Sequence, residues 1–404
     1  MKLGGQLLLH TSDPREPVRL TPGALLIDGD RISRVDLGES HLAHADLGGV
    51  DTFICPGLTD THLHLPQFDS IGVSGLELLD WLDRVIFPAE ARWADAAFAA
   101  DMTMRVARQL GGVGTTCIAA YATVHHDAAQ AAIRVLGDMG FSGHVGQVLM
   151  DQQAPESLLR PCDQLLREAA ALQASGRIAP SINPRFAVTC TSALLAGAGQ
   201  LAAATGRYVQ THLAETAREC EAVRALHAQA TYTDVYHKAG LLTPRALMAH
   251  SIRLSPGERA MLAKSGAIAA HCPTANRFLL AGLMDRAGTL GAGVRVSLGS
   301  DVAGGPDRSM VRVCRAMIET AQSLDAAPPT AAQAWDMITR QGASLLGFDD
   351  LGVLRTGARA DVLVVRPDVP WLASPDPLST LIYAWDDRWL RATLIGGKIA
   401  YSST

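Results

Sequence analysis

His62-Leu63-His64 is the first place where this chain could do chemistry. Side chains two apart on a strand share a face, so both imidazoles could reach one metal ion. Alone, the pair reads equally well as two surface histidines. A second cluster is Gln210-Thr211-His212-Leu213-Ala214-Glu215. Alternation sends Val209, Thr211 and Leu213 outward and Gln210 and His212 inward, with Glu215 just beyond the strand. His212 becomes a third nitrogen donor; a core histidine followed by a helix-capping glutamate is the plainer alternative. His250 closes an apolar run in ALMAHSIRLS, and Asp301 ends VRVSLGSDVAGG, where Arg295, Ser297, Gly299 and Asp301 share a face. A turn-capping aspartate is the ordinary alternative for Asp301. As a set, these nitrogen and oxygen donors suit Zn2+, with Fe2+ or Mn2+ as substitutes, and leave a position open for water. Such an ion lowers the pKa of its water toward about 7. Glu215 could pass a proton to a ring nitrogen of a substrate, and His250 and Asp301 could take or orient the water proton while ammonia leaves.

These residues work together only if strand ends meet at one mouth. Eight β-rich runs meet that need: TFICPGLTDTHLHL, GVGTTCIAAY, GHVGQVLMD, SINPRFAVTC, RYVQTHLAET, ALMAHSIRL, AIAAHCPTAN and RVSLGSDVAG. Ala-rich helical stretches separate several of them, which predicts parallel βα units. Eight such units predict an α/β fold with a closed (β/α)8 barrel of the TIM type over residues 57–348. Closure would make strands one and eight neighbours and bring His62, His64 and Asp301 together. A doubly wound sheet would want a Gly-rich phosphate turn after its first strand, and none is present. Residues 24–35, ALLIDGDRISRV, read as a hairpin, and ADVLVVRP and LRATLIGGKIAY read as strands. Isolated hairpins are marginal, so residues 1–56 and 349–404 are expected to build one small β-domain from both termini.

Bridged two-metal sites often use a strand-borne lysine. Here lysine occurs only at Lys2, Lys238, Lys264 and Lys398, none in the expected fourth strand, which favours one metal. The 404 residues are 48% hydrophobic and 19% charged, enough for a large core and against disorder. A net charge of -5 argues against a nucleic-acid or anionic-membrane surface. The first residues lack a signal-peptide pattern, and no apolar run reaches membrane-spanning length. Seven scattered cysteines without a CxxC pair read as reduced thiols of a cytoplasmic protein.

Several stretches resemble the amidohydrolase superfamily and, within it, the guanine deaminase family: PGLTDTHLHLPQ (56–67), LLDWLDRVIFPAEAR (78–92), NPRFAVTCT (183–191), THLAET (211–216), AHCPTAN (270–276) and GSDVAGGPDRSM (299–310). The resemblance implies that His62, His64, His212 and Asp301 bind zinc and that Glu215 and His250 do proton work. It implies that Gln67, Arg185 and Phe186 hold a purine, that the terminal pieces form a β-sandwich, and that the chain is a homodimer. The implied reaction is hydrolysis of guanine at C2 to xanthine and ammonia. Alternatives are another aminated ring, such as 8-oxoguanine, a pterin or a triazine, or a catalytically silent binding protein. Two departures from the family pattern, Thr274-Ala275-Asn276-Arg277 and Gln152-Gln153, bear on the pocket rim. His125-His126 reads as an exposed loop pair, and His271 as either a satisfied core histidine or a partner of the site. The stripe Met310, Val313, Cys314 and Met317 is expected either to pack on the barrel or to form a subunit interface. The long stretch Leu76–Arg92 could cover the mouth.

Overall fold

The computed structural model describes residues 1–228 and 231–403. Both ends of the chain meet in one seven-stranded sheet, in the order Lys398–Ser402, Leu390–Ile395, Val362–Val365, Leu47–Pro56, Lys2–His10, Val18–Asp28 and Arg31–Leu37. Neighbours are antiparallel except Lys2–His10 and Leu47–Pro56, which run parallel. Strand alternation divides the apolar residues between two cores. Val362 and Val364 pack with Leu3, Leu7 and Ile54, while Leu363 and Val365 join the core of the larger body.

That body contains β1 (Leu58–His64), β2 (Thr115–Tyr121), β3 (Ser142–Gly146), β4 (Arg177–Pro180), β5 (Val209–Leu213), β6 (Ala246–His250), β7 (Ile268–His271) and β8 (Arg295–Leu298). They form two four-stranded parallel sheets, β1–β4 and β5–β8. Every residue of β1, β2, β3, β6 and β7 is buried, as expected of parallel strands covered on both faces. Helices precede the strands they deliver. Ala96–Gly111 leads into β2, its first turn closed by Asp95 accepting from the Ala97 and Phe98 amides. Ser255 and Glu258 form a reciprocal cap on Pro256–Ser265 before β7. Hydrogen bonds also join the two sheets. Near β4, Ile182 N–H donates to Tyr208 O (2.9 Å) and Gln210 N–H to Ile182 O (3.0 Å). Beyond β8, Asp301 N–H donates to His62 O (2.8 Å), and His64 N–H to Val302 O (3.0 Å).

Two expected strands differ from the sequence reading. The first does not run unbroken from 52 to 65. It divides at Gly57, where a Cβ would lie 2.2 Å from Thr116 Oγ1, so Leu47–Pro56 serves the terminal sheet and Leu58–His64 the parallel one. The fourth strand starts earlier than SINPRFAVTC, at Arg177, and beyond Pro180 the pairing is broken up: Ile182 bridges to Val209 and Asn183–Pro184 pair with Val148–Leu149. Pro180 and Pro184 cannot donate to a ladder, which leaves Arg185 and Phe186 on a loop past the strand. The Met310–Ser323 helix buries Met310, Val313, Cys314 and Met317 in the chain's own core, so this stripe packs inward. Among the described residues no helix is long and apolar enough to cross a membrane.

Candidate active site

The ends of β1, β5, β6 and β8 converge as the spacing predicted. His62, His212, His250 and Asp301 each present a ligand atom, all within 4.8 Å of one another. His64 stands beside them, with Nε2 at 3.1 Å from His212 Nε2 and 3.3 Å from Asp301 Oδ1. His62 Nε2 lies 3.4 Å from the same oxygen. Three imidazoles are held from behind. His212 Nδ1 meets the Arg185 carbonyl at 2.6 Å, His250 Nδ1 meets Asn276 Oδ1 at 2.8 Å, and His62 Nδ1 meets Gln210 Oε1 at 3.2 Å. Each partner atom is an acceptor, so each Nδ1 carries the proton and Nε2 keeps its lone pair for the centre. His62 Nε2 makes no hydrogen bond among the described residues. Lone pairs converging on one carboxylate fit a bound cation and little else.

The strand ends are bent to reach this centre. Ala214, His250, Ser251 and Asp301 all have φ between 50° and 67°, a left-handed conformation that non-glycine residues rarely adopt and that concentrates at functional sites. Gly299 permits the approach of β8 to β1, since a Cβ there would lie 2.7 Å from His62 Cβ. Asp60, passed over in the sequence, ties the same join by accepting from the Ser300 and His62 amides and the Ser300 hydroxyl.

Burial sets the protonation states. It pushes His64 down to about 3 and His250 to about 4, and holds His212 well below the ordinary histidine value with help from the neighbouring imidazoles. Neutral imidazoles are what a metal requires. For Asp301 burial acts upward, but the close ring nitrogens of His62, His64 and His250 outweigh it and hold it well below the usual carboxylate range. Glu215 goes the other way. Burial, then Glu219 and Asp301, lift it well above 4.5, so it keeps its proton far more readily than a surface carboxyl. His250 Nε2 lies 3.4 Å from Glu215 Oε2 and 3.7 Å from Asp301 Oδ2.

His64, His212, His250, Glu215 and Asp301 form one wall of a cavity with about 350 Å3 of empty space. Gln67, Arg185 and Phe186 line it together with Leu78, Trp81 and Leu82 from the long stretch after β1. Arg185 Nη1 donates to Glu90 Oε1 and Oε2 at 2.7 and 2.6 Å, and Gln67 Nε2 donates to Glu90 Oε1 at 3.2 Å. The sequence reading missed Glu90. A glutamate three residues after Phe87 on a short helix carries no spacing signal, and only its complete burial marks it.

Other candidates lie apart. His125 and His126 are half-buried at a helix start, where His125 Nδ1 accepts from Arg160 and His126 meets Gln147, so they are not an exposed loop pair. His271 is fully buried, and neither ring nitrogen has a hydrogen-bond partner among the described residues. Arg277 pairs with Glu319 at 3.4 Å in a separate surface cleft, and Gln152 bonds the Val188 and Cys190 carbonyls. Neither of these two side chains lines the cavity.

The profile of the Amidohydrolase family matches residues 53–400. The chain belongs to the amidohydrolase family. It is thereby a member of a hydrolase family, and its likeness to the guanine deaminases extends over most of its length. It is 31% identical over 382 residues to guanine deaminase of Rattus norvegicus, covering 87% of this chain and 84% of that protein. The solved structure of guanine deaminase from C. acetobutylicum with bound guanine in the active site matches with a TM-score of 0.90 at 28% identity, over 99% of both chains. An adenosine deaminase from Xanthomonas campestris with bound zinc matches with a TM-score of 0.86 at 25% identity, over 98% of this chain and 92% of that one. The matched span of this amidohydrolase takes in both parallel sheets and every site residue named above.

Proposed function

We propose that the chain is a zinc-dependent guanine deaminase that converts guanine and water to xanthine and ammonia. The observation that carries this reading is a cavity with the buried Glu215 carboxyl and converging imidazoles on one wall and the Arg185–Gln67 pair on the other. Likeness to guanine deaminases, one solved with guanine, supports the substrate, and likeness to a zinc-bound deaminase supports the ion.

In this reading the two parallel sheets close into a (β/α)8 barrel spanning 57–348. The terminal sheet of 1–56 and 349–404 wraps over its own core as a sandwich. His62, His64, His212 and Asp301 hold one Zn2+, with Fe2+ or Mn2+ as substitutes. His64 is placed among the ligands because its Nε2 joins the same cluster, 3.1 Å from His212 Nε2 and 3.3 Å from Asp301 Oδ1. His250 is placed in proton transfer because its Nε2 faces two carboxylates. When bound, such an ion activates water for attack on carbon. Glu215 gives its proton to the ring nitrogen beside C2, which makes C2 more electrophilic. His250 and Asp301 accept and orient the proton released by water, and that proton ends on the departing amine, while the proton of the hydroxyl left on C2 returns to Glu215 as C2=O forms. Arg185 donates to the purine carbonyl, Gln67 binds the adjacent ring edge, and Phe186 covers the ring face. A cytoplasmic homodimer completes the reading.

The test follows guanine by ultraviolet absorbance to xanthine, with ammonia release measured in parallel. Rapid, chelator-sensitive conversion is expected. A zinc-loaded protein that leaves guanine intact while deaminating 8-oxoguanine, a pterin or adenosine would overturn the substrate and keep the hydrolysis.

A further inference from the structure

Glu90 is wholly buried and does not line the cavity, yet both side chains assigned to hold the ring lean on it. A guanidinium is always cationic, and a carboxylate facing it only accepts. Two consequences follow from the bonds at 2.6, 2.7 and 3.2 Å. The Gln67 amide must turn its NH2 to Glu90, because its oxygen there would set lone pair against lone pair. Oε1 is then the end that meets a ligand. Arg185, meanwhile, has its charge cancelled within hydrogen-bond distance, so its remaining N–H groups can donate without leaving a net positive wall. An uncompensated guanidinium in so enclosed a place would attract anions strongly. The Arg185 guanidinium also lies 5.5 Å from the Phe87 ring centroid. The one short helix Phe87–Ala91 thus supplies both the countercharge and the surface the guanidinium rests on.

We propose that Glu90 is a positioning residue that sets the specificity of this pocket. It turns Arg185 and Gln67 into a neutral donor–acceptor pair that selects an uncharged cyclic-amide edge, N–H beside C=O, and rejects purine-sized anions. The identity of the ring rests on the function proposed above; the selection by charge stands on the Glu90 geometry.

The test is calorimetric binding of two purines to the metal-loaded protein: hypoxanthine, which has the amide edge and no amino group to lose, and 6-carboxypurine, its anionic counterpart. The wild type is expected to prefer hypoxanthine at least tenfold. Glu90→Gln is expected to weaken hypoxanthine about tenfold, to strengthen 6-carboxypurine by a similar factor, and to raise KM for guanine more than it lowers kcat. Glu90→Asp keeps the charge and is expected to keep the rejection of the anion. An unchanged preference in a folded Glu90→Gln protein overturns the inference. So does a wild type that binds 6-carboxypurine as tightly as hypoxanthine, whether or not the variants fold. A wild type that prefers hypoxanthine but leaves guanine intact supports the charge selection and removes guanine deamination.

Discussion

On one wall of the cavity, His64, His212, His250, Glu215 and Asp301, clustered with His62, sit at or just beyond the ends of four parallel strands. On the other, Gln67 comes from the turn Leu65–Ser70, Arg185 and Phe186 from the loop past Pro184, and their support Glu90 from a five-residue helix. The first wall is positioned mainly by backbone: register, left-handed residues at the strand ends, and a carbonyl or side-chain amide acceptor behind three of the four imidazoles. The second is positioned by side chains holding one another through a buried ion pair. Proton transfer and metal binding tolerate little misplacement, which suits the rigid wall. Recognition can be carried by a smaller, separately adjustable unit.

If the walls divide the labour in this way, their variants should fail differently. Glu215→Gln is expected to lower kcat about 10^3-fold with KM little changed. Because burial raises the Glu215 pKa, the folded state loses stability as pH rises from 4.5 toward the raised value. The glutamine variant lacks that slope, so its melting temperature at neutral pH should match or exceed that of the wild type. Arg185→Ala should do the reverse. It leaves Glu90 buried without its countercharge, a loss of roughly 3–5 kcal/mol in urea unfolding, and raises KM for guanine by about 10- to 100-fold. Equal effects of the two variants on kcat and on stability would erase the distinction. Gly299→Ala, which pushes against His62 at the join of β8 and β1, should cost roughly 1–3 kcal/mol. Its activity should fall with metal occupancy, leaving KM in the fully loaded protein near the wild-type value.

The same division explains what could be read in the sequence. Period-two alternation around His62, His212 and Asp301 was enough to place the backbone-held wall, because strand geometry converts spacing directly into direction. The left-handed conformations at Ala214, His250 and Asp301 carry no such signature, since no glycine marks them. Residue type suggested Gln67 and Arg185 only through family resemblance. Glu90 could not be found, because its role comes from side chains 23 and 95 positions away. The two strand-boundary errors, at Gly57 and around Pro180 and Pro184, arose where a glycine or proline divides an apolar run that composition alone presents as continuous.

In the proposed reaction the strand-end histidines and Asp301 hold one catalytic metal ion. The most direct measurement is a zinc titration of chelator-stripped protein, following bound metal and guanine turnover together. The account predicts negligible turnover without metal and a linear rise that ends at one ion per chain, with His212→Ala showing neither tight binding nor activity. Full turnover by the stripped protein, or a rise that continues to a second equivalent, would contradict it.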